Sequence, residues 1–262
     1  MIRRPPRSTQ GVSSAASDVY KRQPDKVMND FFIALFGKPF GYVIFQLIEA
    51  TQFTIYLSLI AFFGGGLVGA FITLLRVMPN RTTKNFAVSY IWLFQSAPLL
   101  MLFFLLGLGI PRFFEVEVNP WVAAIISLTF FTSAYLADVW RGAIESIPVG
   151  QWEGARSIGL KFFTILRLVI LPQSFRIALA PTVGFMVQII KGSSLAYIIG
   201  FQDLMLIGKR WANAPVSGTE PFVIFPIMAL IYFFLCFPLT VISRRLESRM
   251  GSISKNSLIL ID

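Results

Sequence analysis

The chain has 262 residues and a formal net charge of +10, with 55% hydrophobic, 15% aromatic and only 14% charged residues, too much apolar surface for one soluble core to hide. A single cysteine, Cys236, excludes a disulfide framework within the chain, and with no histidine the usual zinc ligands and the base of a Ser/His/Asp triad are missing. Uncharged apolar runs longer than about 18 residues point to a membrane as the solvent, because roughly 20 helical residues cross its hydrocarbon layer.

The first stretch, MIRRPPRSTQGVSSAASDVYKRQ, is polar, Ser-rich and without helical or strand period, and the chain changes character near Met28. It resembles translated adaptor sequence, and residues 1–27 are read as a non-native or disordered leader. A targeting peptide is the rival reading, but the stretch has no amphipathic apolar face. Residues 28–250 are read as one membrane domain, and 251–262 as a short tail.

Phe31 to Gln52 contains Gly37, Pro39 and Gly41 and is expected to hold an interfacial helix that leads into the first span. Five spans follow. Ile55–Leu75, Phe86–Ile110 and Pro221–Ser243 carry no charge, Trp121–Ala137 extends through Asp138 to Trp140, and Ile177–Gln202 holds one lysine, Lys191. Gly65 and Gly69 place two small residues on one face of the first span, for packing inside the subunit or against a second copy. Pro98, Pro181 and Pro238 should bend the second, fourth and fifth spans. Cys236 reads as a small core residue. Asp138 and Arg141, three apart, read as an ion pair on a helix face rather than a substrate clamp.

Charge sets the orientation. Arg76, Arg81 and Lys84 follow the first span, Arg141, Arg156, Lys161, Arg167 and Arg176 lie between the third and fourth, and Arg244, Arg245, Arg249 and Lys255 follow the fifth. The opposite side holds only Arg112, Lys209 and Arg210. The positive-inside rule makes the first group cytoplasmic, with the N-terminus outside and the C-terminus inside. The basic leader conflicts with this count and is set aside with it.

Between Arg141 and Arg176 the cytoplasmic insertion carries Trp152, Ala155, Gly159, Phe162, Leu166 and Val169 at helical spacing, so a helix with one apolar face is expected, broken before by Pro148 to Gly150 and ended by Pro172. Glu153 should fall in its first turn, where the helix dipole favours a carboxylate, and pair with Arg156. Gly159 would cost about 1 kcal/mol in a helix interior but leaves a bare spot for a partner surface. Gly154 to Lys161 is no phosphate-cradling loop, since Leu160 intervenes before Lys161 and Phe162 stands where the hydroxyl should be.

Glu153, Ala155, Gly159, nine residues, then Val169, Leu171 and Pro172 resemble the cytoplasmic loop motif of ABC importer permeases, with Gly154 and Val169 as mild departures. SAYLADVWRGAIESIPVGQWEGARSIG from Ser133, LPQSFRIALAPTVGF and KGSSLAYIIGFQDL extend the resemblance to the polar amino acid uptake subfamily. The resemblance implies an all-α integral membrane protein with five transmembrane helices and a coupling helix between spans three and four. Glu153, Gly154, Ala155, Arg156, Gly159 and Leu160 would meet a cytosolic ABC ATPase dimer. ATP and Mg would sit on that partner, with no cofactor and no metal bound here and no catalytic residue. A second permease copy or a homologue, an extracytoplasmic substrate-binding protein and membrane lipid complete the expected partners, with no nucleic acid, in the bacterial inner membrane.

Lys191 is an ionisable group in an apolar span, with Ser193 and Ser194 beside it and Gln188 one turn earlier, so the four are candidates for a substrate pathway. The lysine could instead snorkel or pair. A permease for methionine or another small ligand remains open, as does a stand-alone ion-coupled carrier, although neither paired intramembrane acids nor an internal repeat stands out.

Overall fold

The computed structural model describes residues 25–259, with the side chains of 28–249. Most of the leader, residues 1–24, lies outside the described residues, as do the last three positions of the tail. Every regular element among the described residues is helical: α1 (Asp25–Phe36), α2 (Phe40–Val77), α3 (Arg81–Ser96), α4 (Leu99–Phe104), α5 (Ile110–Phe114), α6 (Pro120–Glu145), α7 (Val149–Ser157), α8 (Phe162–Ile165), α9 (Leu171–Ser193), α10 (Leu204–Ala212) and α11 (Pro221–Ile259).

Four helical runs are long and apolar enough to cross a membrane: Phe40–Val77, Pro120–Glu145, Phe162–Ile199 and Pro221–Arg249. The second expected span differs in kind. Arg81–Ser96 and Leu99–Phe114 are two limbs bent by 95° at Ala97 and Pro98, either a broken span or a re-entrant pair, in place of the continuous helix expected. The cause is local: Ala97 takes an extended conformation (ψ 125°), as the residue before proline prefers, and Pro98 has no N–H to carry the ladder across. A π-helical turn, Leu105–Gly109, then joins α4 to α5.

Two further expectations are corrected. The interfacial helix proposed for Phe31–Gln52 is instead α1, which ends at Phe36 and rests Phe32 on Phe45 with ring centroids 6.5 Å apart, while everything from Phe40 belongs to α2. Pro172 also fails to end a helix. It occupies the first turn of α9 immediately after a π-helical turn, Leu166–Ile170, where its missing N–H is tolerated, so the fourth run begins at Phe162 rather than Ile177.

The bundle is organised by α2 against α6. At 38 residues α2 is roughly 57 Å long, more than a bilayer needs. Its central face meets α6 at near backbone distance: a Cβ built on Gly65 would lie 2.5 Å from Thr132 Cγ2, and one on Gly69 would lie 3.0 Å from the Ser133 carbonyl oxygen. Both glycines therefore serve packing inside the subunit. Thr73 closes the same seam by donating to the carbonyls of Gly69 (2.8 Å) and Ala137 (3.3 Å). Leu57, Phe103, Leu128, Ile189 and Phe201 form the central core from five different segments.

The N-terminal part of α2 has its own partner. Asn119 and Asp203 cap α6 and α10 by accepting from Trp121 N and Leu206 N, and α10 is pinned to α2 where Leu204 N donates to Thr54 Oγ1 (3.2 Å) and Trp211 Nε1 to Gln46 Oε1 (2.7 Å).

Replacing Gly65 with Ala should destabilise the bundle by about 1–3 kcal/mol through overpacking against Thr132. Gly66→Ala, whose Cβ would meet only Trp140 at an ordinary 3.7 Å, should be near neutral. Thermal unfolding of the two variants in the same detergent checks this, and equal midpoints would contradict the close packing of α2 on α6.

Candidate functional site

The expected single amphipathic helix is two helices folded onto one apolar cluster. Pro148 opens α7, which ends at Ser157 in a turn where Leu160 N donates to the Ala155 carbonyl (3.2 Å) and Gly159 N to that of Arg156 (2.9 Å), with Gly159 at φ +82°. This is a Schellman-type stop, which needs a left-handed residue. Gly159 is thus a helix terminator and not a bare spot in a helix interior. Glu153 stands in the middle of α7 instead of its first turn, and it makes no ion pair with Arg156.

Burial divides the motif into two sets. Glu153, Gly154, Arg156 and Gly159 are exposed, and so is Ile158 between them. Ala155 is buried and Leu160 half-buried, both packed with Ile144, Ile147, Ile165 and Ile170, while Trp152 stacks on Phe162 at 6.2 Å. Ala155 and Leu160 therefore hold α7 to the bundle rather than facing outward. Val77, from the end of α2, joins the same cluster. Gln173 adds a polar contact to α7, its Nε2 donating to Gln151 Oε1 at 3.5 Å. The result is a short helix held by its apolar side at one end of the bundle, with Glu153, Arg156 and Ile158 turned outward.

The four residues of the expected substrate pathway do not converge. Gln188 and Lys191 are exposed on one stripe of α9, whereas Ser193 is buried against α2, donating to the Ile190 carbonyl (2.9 Å) and accepting from Ser58 (3.5 Å). Ser194 donates back to the Lys191 carbonyl (2.6 Å). The open stripe continues through Ile177 and Pro181, and a polar edge on an otherwise apolar helix is costly against lipid. At the end of α6 nearest α7, Arg141 bonds Asp138 (Nη2 to Oδ1, 2.8 Å) and also Glu145, so the ion-pair reading of Asp138 and Arg141 holds.

One residue escaped the sequence reading. Asp203 is fully buried at the start of α10; its Oδ1 accepts from Leu206 N (2.9 Å), while its Oδ2 and the buried Tyr232 hydroxyl have no hydrogen-bond partner among the described residues. Burial, the largest influence, pushes its carboxyl up to about 7 against an ordinary 3.8, despite the backbone donors that act the other way. The available signal was a capping residue before the apolar run Leu204–Ile207.

Comparison with known proteins decides the family. The model of the family described as "Binding-protein-dependent transport system inner membrane component" matches residues 65–252. The chain belongs to that family. It is similar to the probable amino-acid ABC transporter permease protein YckA of Bacillus subtilis, at 33% identity over 77% of this chain and 88% of the relative. The glutamate/aspartate import permease protein GltJ of Escherichia coli K12 is 31% identical over 76% of this chain and 87% of its own. Among solved structures, an amino acid ABC transporter with histidines superposes with a TM-score of 0.72 at 28% identity, covering 78% of this chain and 94% of that one. The MetNI methionine ABC transporter shares the fold at a TM-score of 0.61 and 20% identity, covering 76% and 95%.

The outer face of α7 and the Gln188–Lys191 stripe are thus surfaces that the permease's own packing leaves open. Two outcomes test their surroundings. Gly159→Val should cost roughly 1–2 kcal/mol because a β-branched residue resists the left-handed region, whereas Gly159→Asn should be tolerated; limited proteolysis at the α7–α8 turn reads the difference. For Asp203, the folded chain binds more protons than the unfolded one between about 4 and 7, so stability falls as pH rises through that window and is level above it. Asp203→Asn, which keeps the cap, should flatten the drop in unfolding midpoint between pH 5 and pH 8.

Proposed function

We propose that this permease is one transmembrane subunit of an ABC importer that carries a polar amino acid across a bacterial inner membrane by ATP-driven alternating access. The N-terminus is outside and the C-terminus cytoplasmic. An extracytoplasmic binding protein delivers the ligand, and two copies of this bundle, or this bundle and a homologue, form the path. ATP and Mg are held by a separate ATPase dimer whose closure rocks the two bundles between inward and outward openings.

The observation that carries the reading is the division of α7. Glu153, Gly154, Arg156 and Gly159 face outward from the end of the bundle while Trp152, Ala155 and Leu160 clasp it. A rigid helix held in this way transmits a push from a partner to α2, α6 and α9, whose ends it touches through Val77, Ile144 and Ile170. The relatives named for amino acids support the substrate class. Lys191, open on α9, is a counter-charge for a ligand carboxylate, with Gln188 beside it.

Gly154 supplies the test. It is exposed within α7 and a Cβ there meets nothing within 4 Å, so substitution leaves the fold intact. Gly154→Ala should stabilise α7 by up to about 1 kcal/mol and keep uptake. Gly154→Trp should insert normally and lose ATP-dependent amino acid uptake in vesicles containing the ATPase. Uptake by Gly154→Trp at the native rate would remove α7 as the docking surface. Lys191→Ala should weaken substrate affinity, and unchanged affinity and selectivity would remove its ligand role.

A further inference from the structure

Helix α10 is seated at the end of α2 away from α7, where Gln46 and Thr54 hold it, while α7 packs against Val77 at the other end. Its apolar residues Leu204 and Ala212 pack with Val43 and Leu47 of α2 and with Ile224 and Met228 of α11. The approach to α11 is close: a Cβ on Gly208 would stand 2.0 Å from Met228 Sδ. Trp211 meets the Tyr42 ring edge-on at 5.9 Å. Asp203 and Leu204 are fully buried under these contacts, so the first turn of α10 reaches water only when the helix itself lifts.

The carboxyl sealed there meets no cation. Asp203 Oδ1 serves the cap, and Oδ2 has no hydrogen-bond partner among the described residues, where the ion pairs all belong to Arg141. On α11 the Tyr232 hydroxyl is also buried and unpartnered, and the groups that bear on it are Asp203, Thr54, Ser194 and the Cys236 thiol. The basic groups of the surrounding segments are engaged or turned away. Lys209 lies over the Tyr197 ring, 4.4 Å from its centroid, with Nζ 3.4 Å from that hydroxyl; Arg210 and Lys191 are exposed. The remaining titratable groups are also elsewhere: Tyr42, Glu49 and Tyr56 of α2 are exposed, and Glu220, just before α11, accepts from Gly218 N (3.2 Å).

An ionised carboxylate buried without a counter-charge is costly, whereas the neutral acid keeps the same cap through Oδ1 and carries its proton on Oδ2. When α10 lifts, water solvates the group and it ionises as an ordinary carboxyl does. Seating and protonation are then a single linked equilibrium. The seated form binds the extra proton, so acid favours seating and rising pH weakens it.

We infer that Asp203 is a proton-binding site that latches α10: the carboxyl takes one proton from solvent as the helix seats on α2 and α11, and returns it as the helix lifts. The inference concerns this chain alone and stands apart from the importer reading. The latch is local, since α6 is held to α2 by Gly65, Gly69 and Thr73, none of which titrates.

The test is hydrogen–deuterium exchange of the full-length chain in nanodiscs at pH 5 and pH 8. Exchange of each peptide is divided by that of the same peptide in the unfolded chain at the same pH. The peptide covering residues 203–212 should lose protection by about tenfold or more from pH 5 to pH 8, while peptides of α6 keep theirs. Asp203→Asn retains the capping oxygen and cannot ionise, so its α10 should be equally protected at both values. Protection of α10 that is independent of pH in the native chain would overturn the latch, as would an unchanged pH response in Asp203→Asn. An equal loss in α6 and α10 would also overturn it, because the proton would then be linked to unfolding of the whole bundle. That comparison within the native chain needs no variant to fold.

Discussion

Helix α2 lies on α6 with no side chain between Gly65 and Thr132, and the rest of the bundle is arranged around that contact. In hydrocarbon, apolar surface gains little by leaving lipid for protein, so two helices stay together through close dispersion contact and bonds between polar groups. The Gly65 to Gly69 face supplies the first and Thr73, reaching the Ala137 carbonyl, the second. Because α2 and α6 are held side by side, their ends present Val77, Ile144 and Ile147 together, and this is the surface on which Ala155 seats α7. The position of the polar face of α7 thus follows from a contact several turns away.

The breaks in the helices have a common logic. Pro98 splits one expected span into two limbs, Pro172 follows a π-helical turn, and Pro181 lies inside α9 on the open stripe with Gln188 and Lys191. Each removes a backbone donor in a region where water is scarce, so each is accommodated by an altered turn or by facing an unfilled side. The uninterrupted helices, α2 and α6, pack against each other at near backbone distance.

Much of this was legible in the residues. Apolar length and the pattern from Glu153 to Pro172 were enough to find the long apolar runs and the segment that carries the motif, because each depends on neighbours along one stretch of chain. What misled was also local. The run from Trp152 to Val169 keeps a helical period across Ile158 to Lys161 even though the chain turns there, because both short helices bury their apolar sides in the same cluster. Periodicity reports which residues share a core, and two helices folded together can imitate one. Asp203 was passed over because an acid in a connection reads as solvated, and only contacts from Thr54 on α2 and the neighbourhood of Tyr232 on α11 make it buried.

The amino-acid sequence by itself determined the solvent, the helical class, the approximate crossings and the segment that resembles a coupling loop, since hydropathy, charge and spacing act within a few turns of chain. Only the tertiary structure decided that Ala155 and Leu160 point inward while Glu153 and Gly154 point out, that Gly159 ends a helix, that Ser193 packs while Lys191 stays open, and that α2, α6 and α9 border a groove. Those outcomes depend on which surfaces segments far apart in sequence bury against each other, and no local pattern encodes that.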